Sequence, residues 1–131
     1  MQKSIQIYSK TDNLRVIENV IDDISGVERL SNEIYGKILI ATVEAVNNAI
    51  IHGNKTDQNK KVYVFIETRE KELKIRVKDE GEGFDYEKIP DPTAPENIEN
   101  IHGRGVFLMS RLSDKISFEE KGSMVEMIFK K

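Results

Sequence analysis

The chain has 131 residues, 38% hydrophobic and 33% charged, with a net charge of -3. This is one domain's worth of ordinary globular composition, able to bury roughly two-thirds of its unfolded surface without a disulfide or metal staple. Acids and bases are mixed along it, which argues against a nucleic-acid binder and its concentrated basic face, and the absence of cysteine removes disulfide scaffolds, thiol catalysis and cysteine-ligated zinc. Met1 to Lys10 has no apolar core of the signal-peptide kind, and no run approaches the ~20 apolar residues of a membrane span. A cytoplasmic soluble protein with no membrane contact is therefore expected, with residues 1–131 forming one domain.

In chain order, Ser4 to Tyr8 alternates weakly and is predicted as an edge strand. From Asp12 to Ser25, Leu14, Ile17, Ile21 and Ile24 recur at helical steps, with Val16 and Val20 widening the stripe and Gly26 as the stop. A second helix is predicted from Ser31, a good N-cap, to about His52, with Gly53 as its C-cap glycine. Val62 to Thr68 and Leu73 to Asp79 both alternate at period two and read as an antiparallel hairpin. Val62, Val64, Ile66, Leu73, Ile75 and Val77 share its inner face. Lys74, Arg76 and Lys78 share the outer, wet one. Gly81 to about Ile101, with Pro90, Pro92 and Pro95, reads as a loop. Gly103 to Leu112 reads as a third helix, and Lys115 to Glu119 with Ser123 to Phe129 as a closing hairpin around Lys121-Gly122. Helices on one face of a mixed, mostly antiparallel sheet make a two-layer α/β sandwich.

Three clusters carry candidate chemistry. In EAVNNAIIHGN (Glu44 to Asn54), Glu44, Asn48 and His52 stand at i, i+4 and i+8 on a helix otherwise rich in buried-type residues. The stripe could be a water-facing boundary. On a largely buried helix its polar groups need partners, and a carboxylate and an amide oxygen one turn apart are hard donors of the kind magnesium accepts. In DEGEGFD (Asp79 to Asp85), the bland reading is an acidic loop end. The functional one has Asp79 accepting a hydrogen bond from a base amino group, with Gly81 and Gly83 letting the backbone lie against the ring. A calcium loop is disfavoured, because the spacing fails the EF-hand pattern. In HGRGVFLMSRLSD (His102 to Asp114), Gly103 and Gly105 open a helix, where bare amides and the helix dipole favour a phosphate, and Arg104 adds a cation. A plain loop-to-helix junction has the same composition. The cluster is neither a P-loop nor GxGxxG.

The combination and order of these clusters closely resemble the GHKL, or Bergerat-fold, ATPases: EAVNNAIIHGN resembles the N-box, DEGEG the first glycine box, and GRG with its helix the second. Within that group the short chain is most similar to bacterial anti-sigma factors that are also serine kinases. The resemblance implies ATP and Mg2+ as cofactors, Glu44 as catalytic base, Asn48 as magnesium ligand and Asp79 as adenine reader. Gly81 and Gly83 shape the adenine pocket, Gly103 and Gly105 present amides to the phosphates, and Phe84 to Ile101 form a lid. Family members often carry an arginine just before the second glycine box. Here Ile101 and His102 stand there, and the clamping role passes to Arg104. His52 is read as a helix-end histidine packing near the pocket. The implied partners are an anti-sigma antagonist bearing a phosphoacceptor Ser or Thr, a sigma factor, and a second copy of the chain in a homodimer. Tyr63 and Phe65 are candidate dimer contacts, although scattered exposed aromatics are also normal. The alternative is a sequestration module that binds ATP as a conformational ligand without significant phosphotransfer. The catalytic half of a histidine kinase is disfavoured, because the chain has no upstream helical hairpin carrying a phosphoacceptor histidine.

Overall fold

The structure, a computed structural model, describes residues 1–82 and 101–131, with the backbone alone for residues 101–104. Strand β1 (Gln2–Tyr8) is followed by helices α1 (Leu14–Glu28) and α2 (Asn32–Asn48), hairpin strands β2 (Lys61–Thr68) and β3 (Glu72–Lys78), helix α3 (Ile101–Leu112), and strands β4 (Lys115–Glu119) and β5 (Met124–Lys130). The sheet order is β1-β2-β3-β5-β4, and every pairing is antiparallel. β1 is an edge strand, as its weak alternation predicts, and α3 crosses over so that β4 forms the other edge and β5 returns beside β3.

Period two decides which face of the hairpin is dry. Val62, Val64 and Ile66 of β2 and Leu73, Ile75 and Val77 of β3 are all buried, with Val64 directly opposite Val77 and Ile66 opposite Ile75. Against them pack Ile17, Ile21 and Ile24 of α1 and Ile38, Ala41, Ala45 and Val46 of α2. Each large side chain removed from water here contributes about 1.5–3 kcal/mol, so this continuous core dominates the stability. The opposite face carries polar ladders: Lys74 and Arg76 both reach Glu126, at 3.3 and 3.4 Å. The 22-residue stretch Asn32–Gly53 is, by length and composition, apolar enough to cross a membrane, with a mean hydropathy of 1.3, contrary to the expectation that no run approaches a span. Ile38, Ala41, Ala45, Val46, Ala49 and Ile50 are buried in the core while Ile40 and Ile51 are exposed, the one-sided pattern of a core helix.

Ser31 caps α2 as predicted, its hydroxyl accepting the Ile34 N–H at 3.2 Å. Two predicted glycine stops are corrected. Gly26 lies inside α1, which ends instead at Arg29 with φ 52°, in the left-handed region. Gly53 does not take a positive φ. Beyond Asn48 the helix widens into a π-type turn over Ala49–Gly53, closed by the Asn54 N–H reaching back five residues to the Ala49 carbonyl at 2.8 Å. Such turns are frequent at functional sites. The closing hairpin turns through Glu120 and Lys121, both at positive φ, and Gly122 at φ 93°.

Candidate functional site

The widened end of α2, the end of β3, α3 and the closing hairpin surround a cavity of about 260 Å³. From α2 and its wide turn come Ala45, Asn48, Ala49, His52 and Gly53. β3 supplies Val77 and Asp79 follows it, α3 supplies Met109, and the closing hairpin supplies Phe118, Gly122, Ser123 and Val125. The walls are mostly aliphatic, aromatic and thioether groups, the lining expected of a site for a flat apolar body held by a few polar contacts.

Asp79 is the one acidic group among the described lining residues, and it is only 8% exposed. Its backbone N–H donates to the Ser123 carbonyl at 2.9 Å, and its Oδ1 accepts the Gly81 N–H at 2.8 Å. Burial pushes its pKa up, partly countered by the Gly81 hydrogen bond and by the charge of Lys60. A buried acceptor in an apolar cavity, with one side-chain bond among the described residues, has lone-pair capacity left for a ligand N–H.

The glycines around Asp79 are explained by space. A Cβ on Gly53 would collide with the Asp79 carboxylate, and a Cβ on Gly81 would collide with the Gly53 carbonyl. The end of α2 and the turn after β3 therefore touch backbone to backbone. On the far side of Asn48 the same logic recurs. A Cβ on Gly105 would stand 3.1 Å from Glu44 Oε2 and 3.2 Å from both heteroatoms of the Asn48 amide. Glu44 and Asn48, one turn apart on α2, thus face the start of α3 across a narrow gap that an added methyl would crowd.

The structure brings Glu44, Asn48 and Gly105 together in one group and Asp79, Gly81 and Gly53 in another, joined through Asn48 at the cavity wall. His52 also lines the cavity, and partial burial pushes its imidazole below its ordinary pKa. Gly83 and residues 84–100 of the predicted lid lie outside the described residues, as does the Arg104 side chain. α3 starts at Ile101, two residues ahead of the prediction, so Gly103 falls within its first turn and Gly105 is its fifth residue. Sequence reasoning missed Met109, Phe118 and Ser123, whose only local signal is membership of an ordinary helix and hairpin. It also left Asn54, a residue it quoted, without a role.

An apolar cavity with one buried carboxylate, beside a Glu–Asn pair facing a glycine-opened helix start, fits a purine nucleotide: the ring in the cavity, the phosphates toward α3. Comparison with known proteins assigns the fold to a family. The family model described as the histidine kinase-like ATPase domain matches residues 7–129, and the chain belongs to that family. Among curated proteins it is similar to the serine-protein kinase RsbW of Staphylococcus aureus strains JH9, Newman and JH1, each 34% identical over 96 residues. The matched region is 67% of this chain, and the chain spans 60% of the length of those relatives.

Proposed function

We propose that this chain is a cytoplasmic ATP-dependent serine/threonine protein kinase that phosphorylates an anti-sigma antagonist protein. It would act as an anti-sigma factor, holding a sigma factor, when that antagonist is unavailable. The observation that carries the reading is that one cavity is lined by both Asp79 and Asn48, with Glu44 one turn from Asn48 on α2 and both facing Gly105. The printed name of the relatives, a serine-protein kinase, agrees with it.

In this reading Asp79 accepts the adenine amino group, and the close-approaching Gly53 and Gly81 leave room for the ring. Among the described residues no three His, Cys, Asp or Glu side chains cluster as a metal site. Mg2+ would depend on the Asn48 amide oxygen and on phosphate oxygens, and when bound it would neutralise phosphate charge. The first-turn amides of α3, Gly103 among them, and the Arg104 guanidinium would offset the remaining charge. Glu44 takes the proton from the attacking serine or threonine hydroxyl as its oxygen bonds to the γ-phosphorus and the bond to the ADP oxygen breaks. The outer face of the sheet, where Phe65 is 40% exposed, would serve the homodimer contact. No nucleic-acid or membrane contact is part of the reading.

The deciding experiment incubates the protein with γ-labelled ATP and proteins co-purified from the native host. Label should reach a serine or threonine of a small partner. Glu44→Ala should abolish that transfer while ATP affinity stays within a few-fold. Tight ATP binding with no labelled acceptor would instead establish the pure sequestration module.

A further inference from the structure

Asn54 is the most completely engaged polar side chain among the described residues, and the proposed function gives it no task. It is 1% exposed. Its amide nitrogen donates to Ser9 Oγ at 2.8 Å and to the Lys61 carbonyl at 2.9 Å, and its Oδ1 accepts the Glu80 N–H at 2.8 Å. Ser9 in turn donates to the Lys60 carbonyl at 2.7 Å, and the Lys61 N–H bonds the Glu80 carboxylate. One side chain thus ties together the end of β1, the start of β2 and the residue that follows Asp79.

We propose that Asn54 is a positioning residue for purine selection, fixing the Asp79–Gly81 turn so that the Asp79 carboxylate presents itself to the base. Three features support this. The bond to Glu80 N–H lies between the two residues whose mutual hydrogen bond, Gly81 N–H to Asp79 Oδ1, orients the carboxylate. Two of the three partners of Asn54 are far away in sequence, 45 residues for Ser9 and 26 for Glu80, and the third, Lys61, is seven away, so the link is a tertiary clamp, unlike a local turn bond. The π-type turn brings Asn54 to this position, since its own N–H closes that turn. Asp79 is already fixed on its strand side by the Ser123 carbonyl. Asn54 supplies the restraint on the other side, where Gly81 would otherwise leave the backbone free. A buried amide with every polar atom engaged rigidifies what it connects, and losing it leaves buried partners unsatisfied.

The inference rests on Asp79 reading the adenine amino group, and the test separates the two. Calorimetric titration with ATP and with inosine triphosphate, which carries a carbonyl where adenine carries the amine, measures selectivity in one protein. The wild type should prefer ATP. Asn54→Ala should lower ATP affinity about tenfold, of the order of one lost hydrogen bond, and leave inosine triphosphate within twofold, so the selectivity collapses. A merely structural asparagine would weaken both nucleotides alike, and that result overturns the proposal, as does unchanged selectivity. If Asn54→Ala fails to fold, Ser9→Ala removes one acceptor of the amide and keeps the other two bonds. It should lower selectivity by about two- to threefold, and no change would overturn the proposal. A wild type that binds both nucleotides equally would refute the role of Asp79 first, and that of Asn54 with it.

Discussion

Asp79→Asn should move binding and stability in opposite directions. The substitution is nearly isosteric: Oδ1 remains to accept the Gly81 N–H, and the group stays clear of Gly53 because no Cβ is added there. What changes is that a buried anionic oxygen becomes an NH2 donor. Facing an adenine amino group, it replaces a charge-assisted hydrogen bond, about 1.5–3 kcal/mol, by two opposed donors. ATP affinity should therefore fall roughly ten- to a hundredfold or more. In the empty protein the sign reverses. Burial raises the Asp79 pKa above its unfolded value, so the folded state holds the proton more tightly than the unfolded one. The stability this contributes is full below the unfolded pKa and is lost as pH rises through the folded one. At neutral pH the wild type carries the cost of a buried, ionised carboxylate, and the neutral amide does not. Without nucleotide, Asp79→Asn should melt at or above the wild-type temperature at pH 7, the advantage shrinking as pH falls through the carboxylate range. With ATP at about a hundred times its Kd, the wild type gains about 2.7 kcal/mol and overtakes the variant. Melting curves from pH 4 to 8 with and without Mg·ATP, beside titration calorimetry, test both halves. A variant that binds ATP like the wild type, or that is less stable by the same margin at every pH, would refute the reasoning.

The glycines give sharper contrasts. Gly53→Ala places a methyl into the Asp79 carboxylate and should cost about 1–3 kcal/mol of stability by overpacking. It should also weaken ATP by more than tenfold, read by melting and calorimetry on the same sample. Gly26→Ala and Gly36→Ala lie inside α1 and α2 with nothing within 4 Å of the added methyl, so each should stabilise by about 0.5–1 kcal/mol. Nucleotide affinity should not change, and a denaturant titration of each suffices.

Much of the fold is legible in the sequence where one period persists over several residues. Val62, Val64 and Ile66 against Leu73, Ile75 and Val77 fix strands, faces and antiparallel pairing together, because a slip of one residue would turn the three apolar side chains of one strand to water. Ser31 is legible because a cap is a local bond. What fails is the meaning of a single glycine. Gly26 and Gly53 read as helix stops, but a glycine in a sequence does not say whether it is there for φ, for space or for neither. Gly26 sits in ordinary helix, and α1 ends three residues later on Arg29. Gly53 is there for space, and the surface it makes room for is Asp79, 26 residues away. Asn54 was illegible for the same reason: a polar residue after a helical stretch reads as loop until Ser9, Lys61 and Glu80 are seen around it.

The polar stripe on the core helix α2 is explained by asking what each neighbour leaves out. Gly105 leaves out the methyl that would press on Glu44 and Asn48, Gly53 the one that would press on Asp79, and Gly81 the one that would press on Gly53. Two of these omissions let the end of α2 and the turn after β3 close on each other beside the cavity, and the third keeps α3 clear of Glu44 and Asn48. A stripe that merely faced water would need none of them, because bulk solvent makes room for any side chain. A stripe buried for stability would be paired, as Asn54 is, with its donors and acceptors engaged by protein. Among the described residues Asp79 has a single side-chain bond, to its own turn, in a site that burial makes unfavourable for its charge. A charge that burial disfavours, kept at the wall of an apolar cavity, is the signature of a group that meets a ligand, and it is the physical ground for the proposed nucleotide site.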